Sequence, residues 1–101
     1  MIVVRDIFRL KFGQAKEATT LWKQACELLK QSGYGVRAAR VLTDLAGPAY
    51  YTIVLETEYE SLAQWEQAHS GAKTNQPFRE LYQKIMTLTE DGRREILKVV
   101  E

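Results

Sequence analysis

The 101-residue chain has one cysteine, two prolines and one histidine, and no apolar run approaches the ~18 residues of a bilayer span. A lone thiol, Cys26, closes no disulfide within the chain and excludes a cysteine-rich zinc site. Met1 leads into the alternating stretch Ile2-Val3-Val4-Arg5-Asp6 and not into a cationic segment with an apolar core, so no signal peptide is read. A reducing cytoplasm is the expected compartment, with no membrane contact. Neither sign of charge dominates: fourteen Lys and Arg against thirteen Asp and Glu leave +1. Arg37, Arg40, Arg93 and Arg94 are too few and too dispersed for a nucleic-acid surface, so no nucleic-acid partner is expected. Glycine-rich phosphate loops, nucleophile elbows and zinc motifs are also missing, and the residues imply neither a metal nor a cofactor.

What is present suits one folded unit. Hydrophobic residues make up 46% and charged residues 27% of the chain, and its length fits a single domain over 1–101. Residues 2–12 are rich in β-branched and aromatic types and run to Gly13, which reads as a first strand. From Gln14 to Gln31, Ala18, Leu21, Trp22, Ala25, Leu28 and Leu29 recur at helical spacing, and Gly33 follows as a C-terminal stop. Val36 to Thr43 reads as a second strand, Asp44 to Ala49 as a turn, and Tyr50 to Tyr59 as a third strand with Tyr51, Ile53, Leu55 and Tyr59 on its buried face. Ser61 caps a short helix with Leu62, Trp65 and either Ala68 or His69 inward. Ser70 to Gln76 is small and polar. Pro77 opens another helix with a stripe of Phe78, Leu81, Tyr82, Ile85 and Leu88. Asp91-Gly92 reads as a stop, and Arg93 to Glu101 as the final strand.

The order β-α-β-β-α-β, with its second helical region split, predicts a ferredoxin-like α+β fold: a four-stranded antiparallel sheet of order 4-1-3-2 with helices on one face. The other face should be polar in a monomer. Instead it gathers Val3, Ile7, Tyr50 and Val54, and the last strand is apolar on both sides through Ile96 and Val100, Leu97 and Val99. A patch of that extent predicts a homodimer packed sheet to sheet, with Arg5, Arg9 and Glu56 able to pair across the two-fold axis.

The element order, with Ser61-Leu62-Ala63-Gln64-Trp65-Glu66-Gln67-Ala68-His69 followed by Pro77-Phe78-Arg79-Glu80-Leu81-Tyr82, resembles the dimeric α/β-barrel superfamily, which includes NIPSNAP-like and antibiotic-biosynthesis-monooxygenase-like proteins. The resemblance implies that two sheets close into a barrel, with a pocket between each sheet and its own helices. Haem-degrading relatives place a histidine on iron with a tryptophan and an asparagine in the pocket. Here the first strand has Asp6 and no asparagine, and the spacing from Trp65 to His69 does not match that group.

Candidate functional residues follow from chemistry. Trp65 and His69, four apart, share one side of a helix and offer an aromatic wall beside a group that titrates near neutrality; a packed tryptophan and a helix-end histidine would give the same pattern. His69 and Asp6 are the candidate proton carriers. Phe8, Trp22, Tyr51, Trp65, His69 and Tyr82 are the expected ligand-binding set, though large aromatics also build cores. Glu66 and His69 form a lone Glu-x-x-His, which lacks the further carboxylates of a di-iron site. Cys26 reads as a small buried hydrophobe. Three functions stay open: a protein binding a small apolar or aromatic molecule between sheet and helices, a cofactor-independent monooxygenase or isomerase-like enzyme acting on an aromatic substrate, and a structural or interaction dimer without a ligand.

Overall fold

In a computed structural model, which describes residues 1–101, the chain forms β1 (Ile2–Leu10), α1 (Ala15–Gln31), β2 (Ala38–Thr43), β3 (Thr52–Tyr59), α2 (Leu62–Thr74), α3 (Gln76–Thr87) and β4 (Thr89–Lys98). The strands build one sheet of order β2-β3-β1-β4, with every neighbouring pair antiparallel. This is the expected ferredoxin-like α+β arrangement, with the helices on one face. No helix is long and apolar enough to cross a membrane.

Strand alternation selects the buried face. In β1, Val4, Phe8 and Leu10 are buried against the helices. Their partners follow from register, since residues directly opposite in an antiparallel pair share a face: Phe8 lies beside Ile53, Asp6 beside Leu55, and Val4 beside Thr57. From α1, Ala18, Trp22, Ala25, Cys26 and Leu29 meet this layer, and α3 adds Ile85, which is fully buried. Burying one such aliphatic side chain stabilises the fold by roughly 1.5–3 kcal/mol.

Four local expectations are corrected. The segment Ser70 to Gln76 does not separate two helices as a polar linker: α2 continues to Thr74, and Asn75 alone breaks the chain. Asn75 donates its backbone N–H to the Ala72 carbonyl, while its side-chain oxygen accepts from the Phe78 N–H at 3.0 Å and caps α3. Gly71 is tolerated within α2 because the Tyr34 ring occupies its side; a Cβ there would lie 2.8 Å from Tyr34 Cε1. Asp91-Gly92 is likewise not a stop, since β4 begins at Thr89 and Gly92 sits opposite Phe8. A Cβ at Gly92 would meet Phe8 Cδ1 at 2.5 Å, so this glycine makes room for a ring that stacks on Trp22. Finally, Tyr50 and Tyr51 precede β3, and Tyr51 takes a left-handed φ of 58°, which removes both from the strand's alternation.

The fourth correction concerns the helix-free face. Val3, Ile7 and Val54 lie on it, joined by Leu42 and Leu97, while Ile96 falls on the helix side opposite Val4. Val99 and Val100 lie beyond β4. The charges expected to pair across a two-fold axis have partners within the chain: Arg5 Nε reaches Glu56 at 2.8 Å, Arg40 Nη2 reaches it at 2.7 Å, and Arg9 lies 3.6 Å from Glu90. Burial alone would raise the Glu56 carboxyl, but the hydrogen bonds from Arg5 and Arg40 outweigh it and hold the group below the usual carboxylate range.

Gly92→Ala is expected to lower the unfolding free energy by about 1–3 kcal/mol in urea titration, because the new methyl group overpacks against Phe8. Gly47→Ala, with nothing within 4 Å of the added methyl, should shift it by less than about 0.5 kcal/mol.

Candidate functional site

Between the sheet and its helices lies a cavity of about 530 Å³. The sheet contributes Asp6 and Phe8 from β1, Leu55, Thr57 and Tyr59 from β3, and Arg94 from β4. Trp22 and Leu29 come from α1, Trp65, Ala68, His69, Ala72 and Lys73 from α2, and Phe78, Arg79, Tyr82 and Gln83 from α3. A volume of this size falls within the roughly 300–1,000 Å³ of small-molecule sites.

The loop before β2 sets the position of α2, and hence of Trp65 and His69. Gly35 has a φ of 85°, and its missing side chain lets Gln64 approach so that Gln64 Nε2 donates to the Tyr34 carbonyl at 2.7 Å. The Tyr34 hydroxyl donates to the Gly71 carbonyl at 3.1 Å and accepts from Asn75 Nδ2 at 3.3 Å. One tyrosine therefore ties the loop to both the middle and the end of α2.

Aromatic rings line much of the cavity. Phe8 stacks on Trp22 with centroids 5.2 Å apart, Tyr82 meets Trp22 edge-on at 6.3 Å, and Phe78 stacks on Tyr82 at 6.3 Å. The Trp22 indole N–H is the one buried side-chain polar atom without a hydrogen-bond partner. An unpaired buried donor costs about 1–3 kcal/mol, and this one belongs to a residue of the cavity wall.

A polar chain of contacts runs beside these rings. Arg94 Nε donates to Asp6 Oδ1 at 2.5 Å, the Arg94 guanidinium sits 5.1 Å from the Trp65 ring centroid, and Trp65 stacks on His69 at 5.1 Å. Burial, then the cationic Arg94 and Lys73, push the His69 imidazole below its ordinary value, with Asp6 opposing them. The shift favours the uncharged form of the ring. Burial raises the Tyr59 hydroxyl above its ordinary value, with Asp6 acting in the same direction and Arg94 against it. Burial also raises the Cys26 thiol, which suits a core residue and not a nucleophile.

Of the residues singled out in the sequence, the fold brings Asp6, Phe8, Trp22, Trp65, His69 and Tyr82 to this one cavity. Tyr51 lies elsewhere: it packs edge-on against Phe12 at 5.4 Å, and its carbonyl accepts from the Leu10 N–H. His69 is not at a helix end, since α2 runs five residues past it, so the helix dipole does not account for its position. Glu66 is exposed, and no cluster of three or more His, Cys, Asp or Glu side chains forms a metal site. Sequence reasoning missed Thr57, Tyr59, Lys73, Arg79 and Arg94. For Arg94 the signal is the alternation Gly92, Arg94, Ile96, which a stop at Asp91-Gly92 conceals.

No family model and no curated protein matches the sequence. Solved structures do match. A NIPSNAP family protein from Agrobacterium tumefaciens superposes with a TM-score of 0.82 at 18% identity, covering 99% of this chain and 93% of that one. An antibiotic biosynthesis monooxygenase gives 0.79 at 18% identity over 100% of both chains. A mutant of SnoaB, a cofactor-independent oxygenase from Streptomyces nogalater, gives 0.76 at 9% identity over 99% and 93%. At these identities the likeness is one of fold.

Because folding lowers the imidazole's proton affinity, the unfolded chain takes up that proton first, and His69 should contribute a loss of stability as pH falls from about 6.5 toward its lowered native value. Proton NMR of the His69 ring should show a midpoint below about 6.5, and Lys73→Gln should move it upward. A midpoint at or above the ordinary value would contradict a partly buried imidazole facing Arg94 and Lys73.

Proposed function

We propose that the chain is a single-domain, cytoplasmic, NIPSNAP-like α/β-barrel protein that works as a homodimer and binds a small apolar or aromatic molecule between sheet and helices. The cavity carries this reading: it is of ligand size, walled by Phe8, Trp22, Trp65, Phe78 and Tyr82, and adjoined by a buried indole N–H without a partner. The dimer is supported by the apolar residues of the helix-free face, Val3, Ile7, Leu42, Val54 and Leu97, and by the resemblance to the dimeric α/β-barrel superfamily.

A catalytic reading is favoured by one observation, the His69 imidazole in the cavity wall beside Arg94 and Lys73. Such a base can take a proton from a phenol or an activated carbon acid, and the neighbouring cations would hold the anion that results. This matches the cofactor-independent oxygenase alternative, with Asp6 orienting Arg94.

Titration with 2-naphthol should quench tryptophan fluorescence to saturation. Ala72→Leu, which extends a side chain into the cavity, should weaken that binding at least about tenfold, the effect of roughly 1.4 kcal/mol. Unchanged binding would remove the cavity as the site. In light scattering the protein should run at twice the 11.6 kDa chain mass, and Val54→Arg should return it to one. A stable 11.6 kDa wild-type species would remove the dimer.

A further inference from the structure

Six of the seven arginines have a carboxylate oxygen no more than 4.0 Å away: Arg5 and Arg40 share Glu56, Arg9 faces Glu90, Arg37 Glu60, Arg93 Glu95, and Arg94 Asp6. Arg79 is the exception, and it lines the cavity. Lys73 lines the same cavity and is also absent from every ion pair. With Arg94, three cations face the cavity against one carboxylate, Asp6, which Arg94 already engages. In a chain whose charges sum to +1, this excess is a local feature and not a reflection of general basicity. Lys73 and Arg79 stand on different helices, so the break at Asn75 brings them to one place, not helical periodicity.

Depth separates the two kinds of lining. Phe8, Trp22 and Leu55 are buried, whereas Lys73, Arg79 and Arg94 are exposed at the rim. A ligand that buries a flat apolar body and leaves one anionic group near solvent satisfies both. Arginine's planar fork suits a carboxylate in particular, because a parallel pair of its N–H donors matches the two oxygens.

We propose that the cavity takes a small aromatic acid, with its rings against Phe8 and Trp22 and its carboxylate beside Arg79. Lys73 and Arg94 strengthen the attraction without needing direct contact. This rests on the reading of the cavity as a ligand site, and it names the class of molecule that fills it.

Three probes with one ring system separate the contributions: 2-naphthoate, 2-naphthamide and 2-naphthylmethylamine, titrated at neutral pH with tryptophan fluorescence as readout. Naphthoate should bind at least about tenfold tighter than the neutral amide, the scale of a hydrogen bond to a charged group, and the cationic amine should bind weakest. Added salt should weaken naphthoate binding and leave the amide's unchanged. Arg79→Gln should bring naphthoate close to the amide without altering the amide. Lys84→Gln, an exposed cation on α3 outside the cavity, should alter neither. Equal binding of all three probes, indifferent to Arg79→Gln, would overturn the acid preference and leave the cavity reading standing. Failure of all three to bind would overturn both.

Discussion

Strand β1 lies between β3 and β4, and its pleat sends Val4, Asp6, Phe8 and Leu10 toward the helices while Val3, Arg5, Ile7 and Arg9 point the other way. Antiparallel register then chooses the neighbours of each. Phe8 lies between Ile53 and Gly92, so a ring fits where the facing strand has no side chain. Asp6 lies between Leu55 and Arg94, so a carboxylate and a guanidinium meet at the cavity wall. A slip of one residue in β1 would reverse every one of these side chains, placing Arg5 under the helices and Phe8 on the helix-free face. The large buried contribution of Phe8, Leu10 and Val4 holds the register against that slip.

The consecutive residues Arg5 and Asp6 show how differently the two faces use charge. On the helix-free side Arg5 and Arg40 close around Glu56, which is almost fully buried and has its acceptors filled. That cluster is complete within one chain and sits among aliphatic side chains, an arrangement that can adjoin a second apolar surface without leaving a carboxylate unpaired. On the helix side Asp6 and Arg94 are the start of an open arrangement. Trp65 and His69 extend it, and the cations Lys73 and Arg79 remain without acidic partners. Burial first, and the cations Arg94 and Lys73 after it, lower the proton affinity of His69, and those same cations favour a negative group in the cavity, so one electrostatic feature bears on both binding and proton transfer.

Where local pattern and fold agree, the reason is periodicity. The stripe of α1 reads directly from Ala18, Trp22, Ala25 and Leu29, and β3 from Ile53, Leu55 and Tyr59, because each repeats on one side of its own axis. Ser61 and Pro77 mark helix starts for reasons confined to one turn, a side-chain oxygen that accepts from the Gln64 N–H and a nitrogen with no hydrogen to lose. Two glycines lie inside elements and end neither. Gly71 lies within a helix because Tyr34 packs on it, and Gly92 lies within a strand because Phe8 does. Each is a small residue whose cause sits far away in the chain, where no window of neighbouring residues can show it. Tyr51 failed as a strand residue because its left-handed backbone breaks the alternation that its side chain alone appeared to continue.

The amino-acid order determined which segments pair and which faces are apolar, since hydrophobic spacing fixes the phase of each helix and strand about its own axis. It also determined that a lone thiol and a lone histidine would be the only such groups available. Only the assembled fold decided which charges meet. Arg94 reaches Asp6 across 88 positions, Tyr34 joins a loop to α2, and Arg79 comes to the cavity with no acid beside it. Phase within an element is local, but register between strands and the seating of helices on a sheet come from packing many side chains at once, and the contents of the cavity wall depend on that packing.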